Sequence, residues 1–145
     1  MIPYDLDGDG QPEIIASLSN QSSNGPWRGQ YFQVIKKIND VWVDVSNNIF
    51  PQQNQDQTIR AAWCYRIQFI DMNNDGQADI LCSGYKSTVW INQEGKFFDQ
   101  TSSYIGAEKQ RSVVVKFPDG NYLLRFEDWY QGSQDKFNIT GTVVN

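Results

Sequence analysis

Two short segments of this sequence set oxygen-bearing side chains at every second position. One reads DLDGDGQPEII from Asp5, the other DMNNDGQADIL from Asp71. Positions 1, 3, 5 and 9 are Asp5, Asp7, Asp9 and Glu13 in the first, and Asp71, Asn73, Asp75 and Asp79 in the second. Position 7, Gln11 or Gln77, is expected to offer its backbone carbonyl. Position 6 is Gly10 or Gly76, a residue that takes the left-handed conformation needed for a chain to turn round an ion. Calcium takes about six to eight hard oxygen ligands, and alternation along a short loop points one set of side chains inward. Both loops are therefore expected to bind Ca²⁺, which makes two sites. Without a cation, three or four carboxylates in one loop repel each other. Plain hairpin turns that bind nothing are the competing explanation. Two copies, each with an acidic position 9 followed by Ile, argue against it. An EF-hand needs a bidentate Glu at position 12 and a helix on each side. Position 12 is Ala16 in one loop and Cys82 in the other, and both flanks read as strand. Dockerin-type loops fail the same test.

The net charge of −5 is concentrated there, because seven of the 17 acidic residues lie in the two loops. A chain this acidic is a poor nucleic-acid binder, which needs a basic face, and it disfavours an anionic membrane surface. There is no histidine, which removes Ser-His-Asp and Cys-His catalysis and the usual zinc and copper ligand. No clustered acid and base set stands apart from the loops, so the chain is not expected to be an enzyme. No run of about 18 apolar residues is present, so no transmembrane helix and no membrane insertion are expected. No signal peptide is expected within these residues. Met1 lies four residues ahead of the first loop, where a strand should already be under way.

The elements around the loops read as short strands. Eight Phe, seven Tyr and five Trp join β-branched residues in short runs broken by Gly, Asn, Asp and Pro. Strands are expected at Glu13–Leu18, Tyr31–Ile38, Val41–Val45, Ala61–Ile70, Ile80–Gly84, Thr88–Asn92, Lys96–Asp99, Ser112–Phe117, Tyr122–Phe126 and Lys136–Val144, and no helix is expected. The acidic loops repeat at an offset of 66. VIKKINDVWVDVSNNIF, from Val34, parallels VWINQEGKFFDQTSSYI, from Val89, at an offset of 55. Trp42 then matches Phe97, and Asp44 matches Asp99. A longer loop, roughly Asn20 to Gln30, absorbs the difference. Such units suggest four-stranded propeller blades. A third, degenerate unit from Ser112 carries a Pro-Asp-Gly turn where the acidic loop would be, so no metal site is expected there. The expected fold is one all-β domain over 1–145, with units at about 1–58 and 59–108 and a partial unit at 109–145. About two and a half blades cannot close a ring, so the expectation is a piece of a longer propeller or several copies closing one.

These residues resemble a known family. DLDGDGQPEII, DMNNDGQADIL and the follow-on segment WINQEGKFFD, from Trp90, are similar to FG-GAP/VCBS-type repeats, the calcium-binding blades of integrin-like β-propellers. The resemblance covers about Met1 to Ile105. It implies that Asp5, Asp7, Asp9, Glu13, Asp71, Asn73, Asp75 and Asp79 are the side-chain ligands. The sequence departs from the pattern where Glu13 replaces the commoner Asp and where Asn73 removes one charge. The resemblance implies a non-catalytic, calcium-stabilised binding or adhesion module, extracellular, periplasmic or at the cell surface, with a protein or carbohydrate ligand. A lectin formed by oligomerised blades, and the propeller portion of a secreted polysaccharide-active enzyme, stay open beside it.

With Asp71 placed opposite Asp79, Cys82 falls opposite Gln68, about 13 Å along the strand from Cys64. A disulfide needs Cα atoms within about 7 Å, so two free, buried thiols are expected. Trp42, Trp63 and Trp90 are expected in the core between blades. Trp27, in the SSNGPWRG stretch, and Trp129 and Tyr130, in DWYQGSQD, are the candidates for a ligand surface, since they fall in loops.

Overall fold

The structure is a computed structural model that describes residues 1–21, 27–53, 64–84 and 87–104, and the strands 111–116, 122–127 and 139–144 as backbone. Eleven strands and two single-turn helices are present among the described residues. The first sheet is a meander of β1 (Ile2–Tyr4), β2 (Glu13–Gln21), β3 (Trp27–Ile38) and β4 (Val41–Asp44), each antiparallel to the next. The helical turn α1 (Ser46–Ile49) follows it. A second meander repeats the order with β5 (Cys64–Ile70), β6 (Asp79–Gly84), β7 (Thr88–Gln93) and β8 (Lys96–Asp99), followed by α2 (Thr101–Tyr104). A third, three-stranded meander holds β9 (Arg111–Lys116), β10 (Tyr122–Glu127) and β11 (Ile139–Val144). The fold is thus all-β in open four-stranded sheets of propeller-blade type, with no closed barrel among the described residues.

The helical turns correct the expectation of no helix. Each is one turn, too short to carry a 3.6-residue apolar period, and each is fixed by a pair of side chains. Asp44 Oδ1 accepts from both the N–H and the hydroxyl of Ser46, and Ser46 Oγ accepts from Val34 N at 2.9 Å. At offset 55, Asp99 Oδ1 accepts from the N–H and hydroxyl of Thr101, and Thr101 Oγ1 accepts from Val89 N at 3.1 Å. The same clasp therefore closes both units, tying the end of the fourth strand back to the third.

One apolar cluster joins the first two sheets. Ile15, Phe32 and Val34 of the first pack with Ile80, Cys82, Trp90 and Phe97 of the second, with Leu6, Ile49 and Phe50 among them. Phe50 stacks on Phe32 at 4.7 Å and on Phe97 at 5.3 Å, and meets Trp90 edge-on at 5.4 Å. Tyr4 stacks on Phe69 across the same seam. The other face of the second sheet buries Ile70, Met72, Leu81, Val89 and Ile91. Both faces of that sheet are covered, which is why Thr88–Asn92 is buried at every residue rather than at alternate ones.

Three expectations are corrected by this packing. Trp42 is 54% exposed, although Phe97, its match at offset 55, is fully buried. The face of the first sheet that carries Trp42 corresponds to the face of the second that packs on the first, and no sheet covers it among the described residues. Trp90 is in the core as expected, at 7% exposure, and Trp63 lies outside the described residues. Both ends of the stretch from Asn20 to Gln30 are strand, not loop: β2 runs to Gln21, and Trp27 opens β3 opposite it, while 22–26 lie outside the described residues. The third correction is covalent. Cys64 and Cys82 form a disulfide, with Cα atoms 5.6 Å apart. The hairpin register sits one residue from the expected one, with Ile70 opposite Asp79 and Ile67 opposite Cys82. A bulge between Cys64 and Arg66 then sets Cys64 opposite Gly84. An extra residue on one strand shortens the diagonal from Cys64 to Cys82 to bridging distance.

Candidate metal centre

Both acidic loops join the first and second strands of a sheet, and their backbones match at offset 66. Gly8 and Asn74 have positive φ, as do Gly10 and Gly76 at +86° and +85°. Asp5 Oδ2 accepts from Gly10 N and Asp71 Oδ2 from Gly76 N, each at 2.9 Å. Asp7 accepts from Asp9 N, as Asn73 does from Asp75 N. Asp9 accepts from Gln11 N at 2.9 Å, and Asp75 from Gln77 N at 2.8 Å. Gln11 and Gln77 thus sit at the turn of each loop with their N–H groups holding the position-5 carboxylate. The position-9 carboxylates are fully buried. Glu13 Oε2 accepts from Leu6 N at 2.8 Å, and Asp79 Oδ2 from Met72 N at 2.7 Å. Each closes its loop by tying the start of the second strand to position 2.

In the first loop this geometry gathers oxygen atoms, and no other group of three carboxylates converges so closely among the described residues. One carboxylate oxygen from each of Asp5, Asp7 and Glu13 lies within 4.8 Å of the others. In the second loop Asp79 is anchored twice, with Oδ1 accepting from Asn92 N at 2.7 Å, and Asn73 Nδ2 donates to Asp75 Oδ2 at 2.8 Å.

The electrostatics of the two loops differ sharply. Lys36 extends from β3 into the first, with Nζ at 2.8 Å from Asp9 Oδ2 and 3.1 Å from Glu13 Oε1, and bonded to Asp7 Oδ2. Burial opposes the charge on this ammonium, but the hydrogen bonds to Asp7, Asp9 and Glu13 outweigh it and hold its pKa above the ordinary lysine range. The hydrogen bond from Lys36, and then that from Gln11 N, hold the Asp9 carboxyl below its usual value. No cation approaches the second loop among the described residues. Burial pushes the Asp79 carboxyl up, and the charges of Asp75 and Asp71 add to this against the pull of two backbone N–H donors. Burial also raises the Tyr104 phenol, with the charges of Asp79, Asp75 and Asp71 adding to it.

All eight side chains expected as ligands therefore sit in two matched loops. Lys36 was not among the expected site residues. Its signal was present in the repeat: at offset 55 it aligns with Ile91, a charge where the second unit has an apolar residue. Pairing Ile14 with Ile35 brings it opposite Glu13. Of the ligand-surface candidates, Trp27 lies in a strand, its side chain not described, and Trp129 and Tyr130 lie outside the described residues. No helix among the described residues is long and apolar enough to cross a membrane.

A family model described as FG-GAP-like repeat matches residues 5–82, a span that holds both acidic loops and more than half of the chain. No curated protein and no solved structure matches.

Proposed function

The chain belongs to the FG-GAP-like repeat family, and from that premise we propose that it is a non-catalytic, calcium-stabilised β-propeller-type module for binding or adhesion outside the cytoplasm. The observation that carries this reading is the second acidic loop. Asp71, Asn73, Asp75 and Asp79 offer only hard oxygen donors for a metal, held by backbone N–H groups, and three of the four are carboxylates without a neighbouring cation among the described residues. Hard oxygen donors of this kind suit a divalent cation of the calcium type. The ion would neutralise the loop and brace the turn between β5 and β6. The first loop offers four carboxylates with an ammonium already among them, so it does not fit the ion as it stands.

The disulfide supports a site of action outside the reducing cytoplasm. Loops of this kind bind extracellular calcium at about 10⁻⁴–10⁻³ M. At about 1 mM calcium, a site of about 10⁻⁴ M stabilises the fold by about 1.4 kcal/mol. That makes the ion a structural brace, and the ligand, protein or carbohydrate, belongs to other surfaces. The exposed face of the first sheet, with Leu18 and Trp42, supports a further blade as neighbour. Its counterpart on the second sheet is covered by the first.

Thermal unfolding in calcium and in chelator tests the proposal. The midpoint should rise as calcium reaches the millimolar range, and Asp75→Asn should weaken or abolish that rise. A midpoint indifferent to calcium in both proteins removes the calcium reading.

A further inference from the structure

We propose that Lys36 is the resident cation of the first acidic loop, so that this chain takes up one calcium ion, at the second loop, and not two. The inference rests on the reading of the second loop as a calcium site. Its own ground is the position of one nitrogen. Lys36 Nζ stands within 3.1 Å of Asp7 Oδ2, Asp9 Oδ2 and Glu13 Oε1. These are positions 3, 5 and 9, three of the four side-chain positions that would hold the metal. An ammonium has three donors and no acceptor, and here three carboxylates face it. Glu13 Oε1 is buried with the Lys36 ammonium 3.1 Å away, so the Lys36 charge is what offsets its burial.

A calcium ion needs the same oxygens at about 2.3–2.6 Å. It cannot take them while Nζ lies among them, because the two cations would overlap in space and repel. To enter, the ion must expel a side chain that is only 13% exposed and break three ion pairs. A free ion at about 1 mM also competes with a group tethered in place by β3, whose backbone is fixed opposite Glu13 by the Ile14–Ile35 pair. The second unit carries Ile91 at the matching place, which supplies no charge. One unit thus keeps its loop folded with a side chain and the other needs an ion from solution. The first turn of the chain becomes independent of calcium while the second stays sensitive to it.

Counting bound calcium by equilibrium dialysis, beside unfolding in chelator, tests this. The wild-type chain should bind one ion and Lys36→Met two. In chelator, Lys36→Met should unfold at a lower temperature than wild type, and millimolar calcium should recover the loss. Adding Asp9→Asn and Asp7→Asn to Lys36→Met should restore folding in chelator, and this triple variant serves if the single one does not fold. Two ions on the wild-type chain would overturn the proposal. So would a Lys36→Met protein as stable as wild type in chelator, or one that folds in calcium and still binds a single ion. If no protein binds calcium, yet the triple variant recovers what Lys36→Met loses, the calcium reading falls and Lys36 stands as the loop's cation.

Discussion

The hydroxyl of Ser46 illustrates how much a single buried atom carries in this molecule. It receives the Val34 N–H and donates to Asp44, whose carboxyl is held below its usual range by the Ser46 hydroxyl and then by the Ser46 N–H. Thr101 does the same for Val89 in the second unit. Removing the hydroxyl leaves a buried N–H without an acceptor, a loss of about 1–3 kcal/mol. Ser46→Ala is therefore expected to lower stability by that amount in denaturant unfolding. Ser46→Thr, which installs the second unit's own solution, should cost clearly less. Equal losses in the two variants would show that the hydroxyl bond is not what stabilises the turn.

At the scale of elements, the two hairpins between third and fourth strands have the same backbone and different neighbours. Asn39 and Asp40 have positive φ, and so do Glu94 and Gly95 at offset 55. Asp40 is exposed and pairs with Lys37. Gly95 is buried, with φ +79°, and a Cβ there would meet Asp7 Cα at 3.1 Å. The first acidic loop thus rests on the turn of the second sheet, and glycine is required where it rests. Gly95→Ala is expected to cost about 1–3 kcal/mol in chemical unfolding, and to broaden or shift the amide signals of Asp7 as well as its own. A change confined to the turn would show that loop and turn are not in contact. The Cys64–Cys82 bridge, 18 residues apart, closes the β5–β6 hairpin and with it the second acidic loop. Replacing both cysteines with serine should cost about 2–4 kcal/mol in the same measurement. Insensitivity of the wild-type transition to reductant, with both thiols then titratable, would contradict that.

Across the whole molecule, stability depends on the seam between the first two sheets. Phe50, just past α1, fills it, touching Phe32 on one side and Trp90 and Phe97 on the other. Its truncation to alanine removes contacts to both sheets and is expected to cost about 3–5 kcal/mol. The unfolding transition should also lose cooperativity, because each sheet then has less reason to wait for the other. A single sharp transition with a small shift would mean that the seam is held elsewhere. The same seam explains the asymmetry of the units: the second sheet has both faces covered, while the first keeps Trp42 and Leu18 in solvent.

The sequence by itself determined most of the strands, the two acidic loops and the repeat. These are encoded in residues close together in the chain. Alternating carboxylates with glycine at position 6 make a turn wherever they occur, and short β-branched and aromatic runs between turn residues make strands. Matching Asp44 with Asp99 aligned the two carboxylates that hold the clasps, although no helical turn was expected there. Only the tertiary structure decided what each loop faces. The register of β5 against β6 shifts by one residue and carries a bulge, and neither leaves a local mark, so Cys64 and Cys82 were placed too far apart to join. Whether an aromatic is buried depends on what covers its face, which is why Trp90 and Trp42 part company although both were expected inside. Lys36 lies 23 residues beyond Glu13 and reaches the first loop only through strand pairing. The loops look alike in the sequence because their own residues are alike. They differ in the folded chain because the neighbouring strand brings an ammonium to one and an isoleucine to the other.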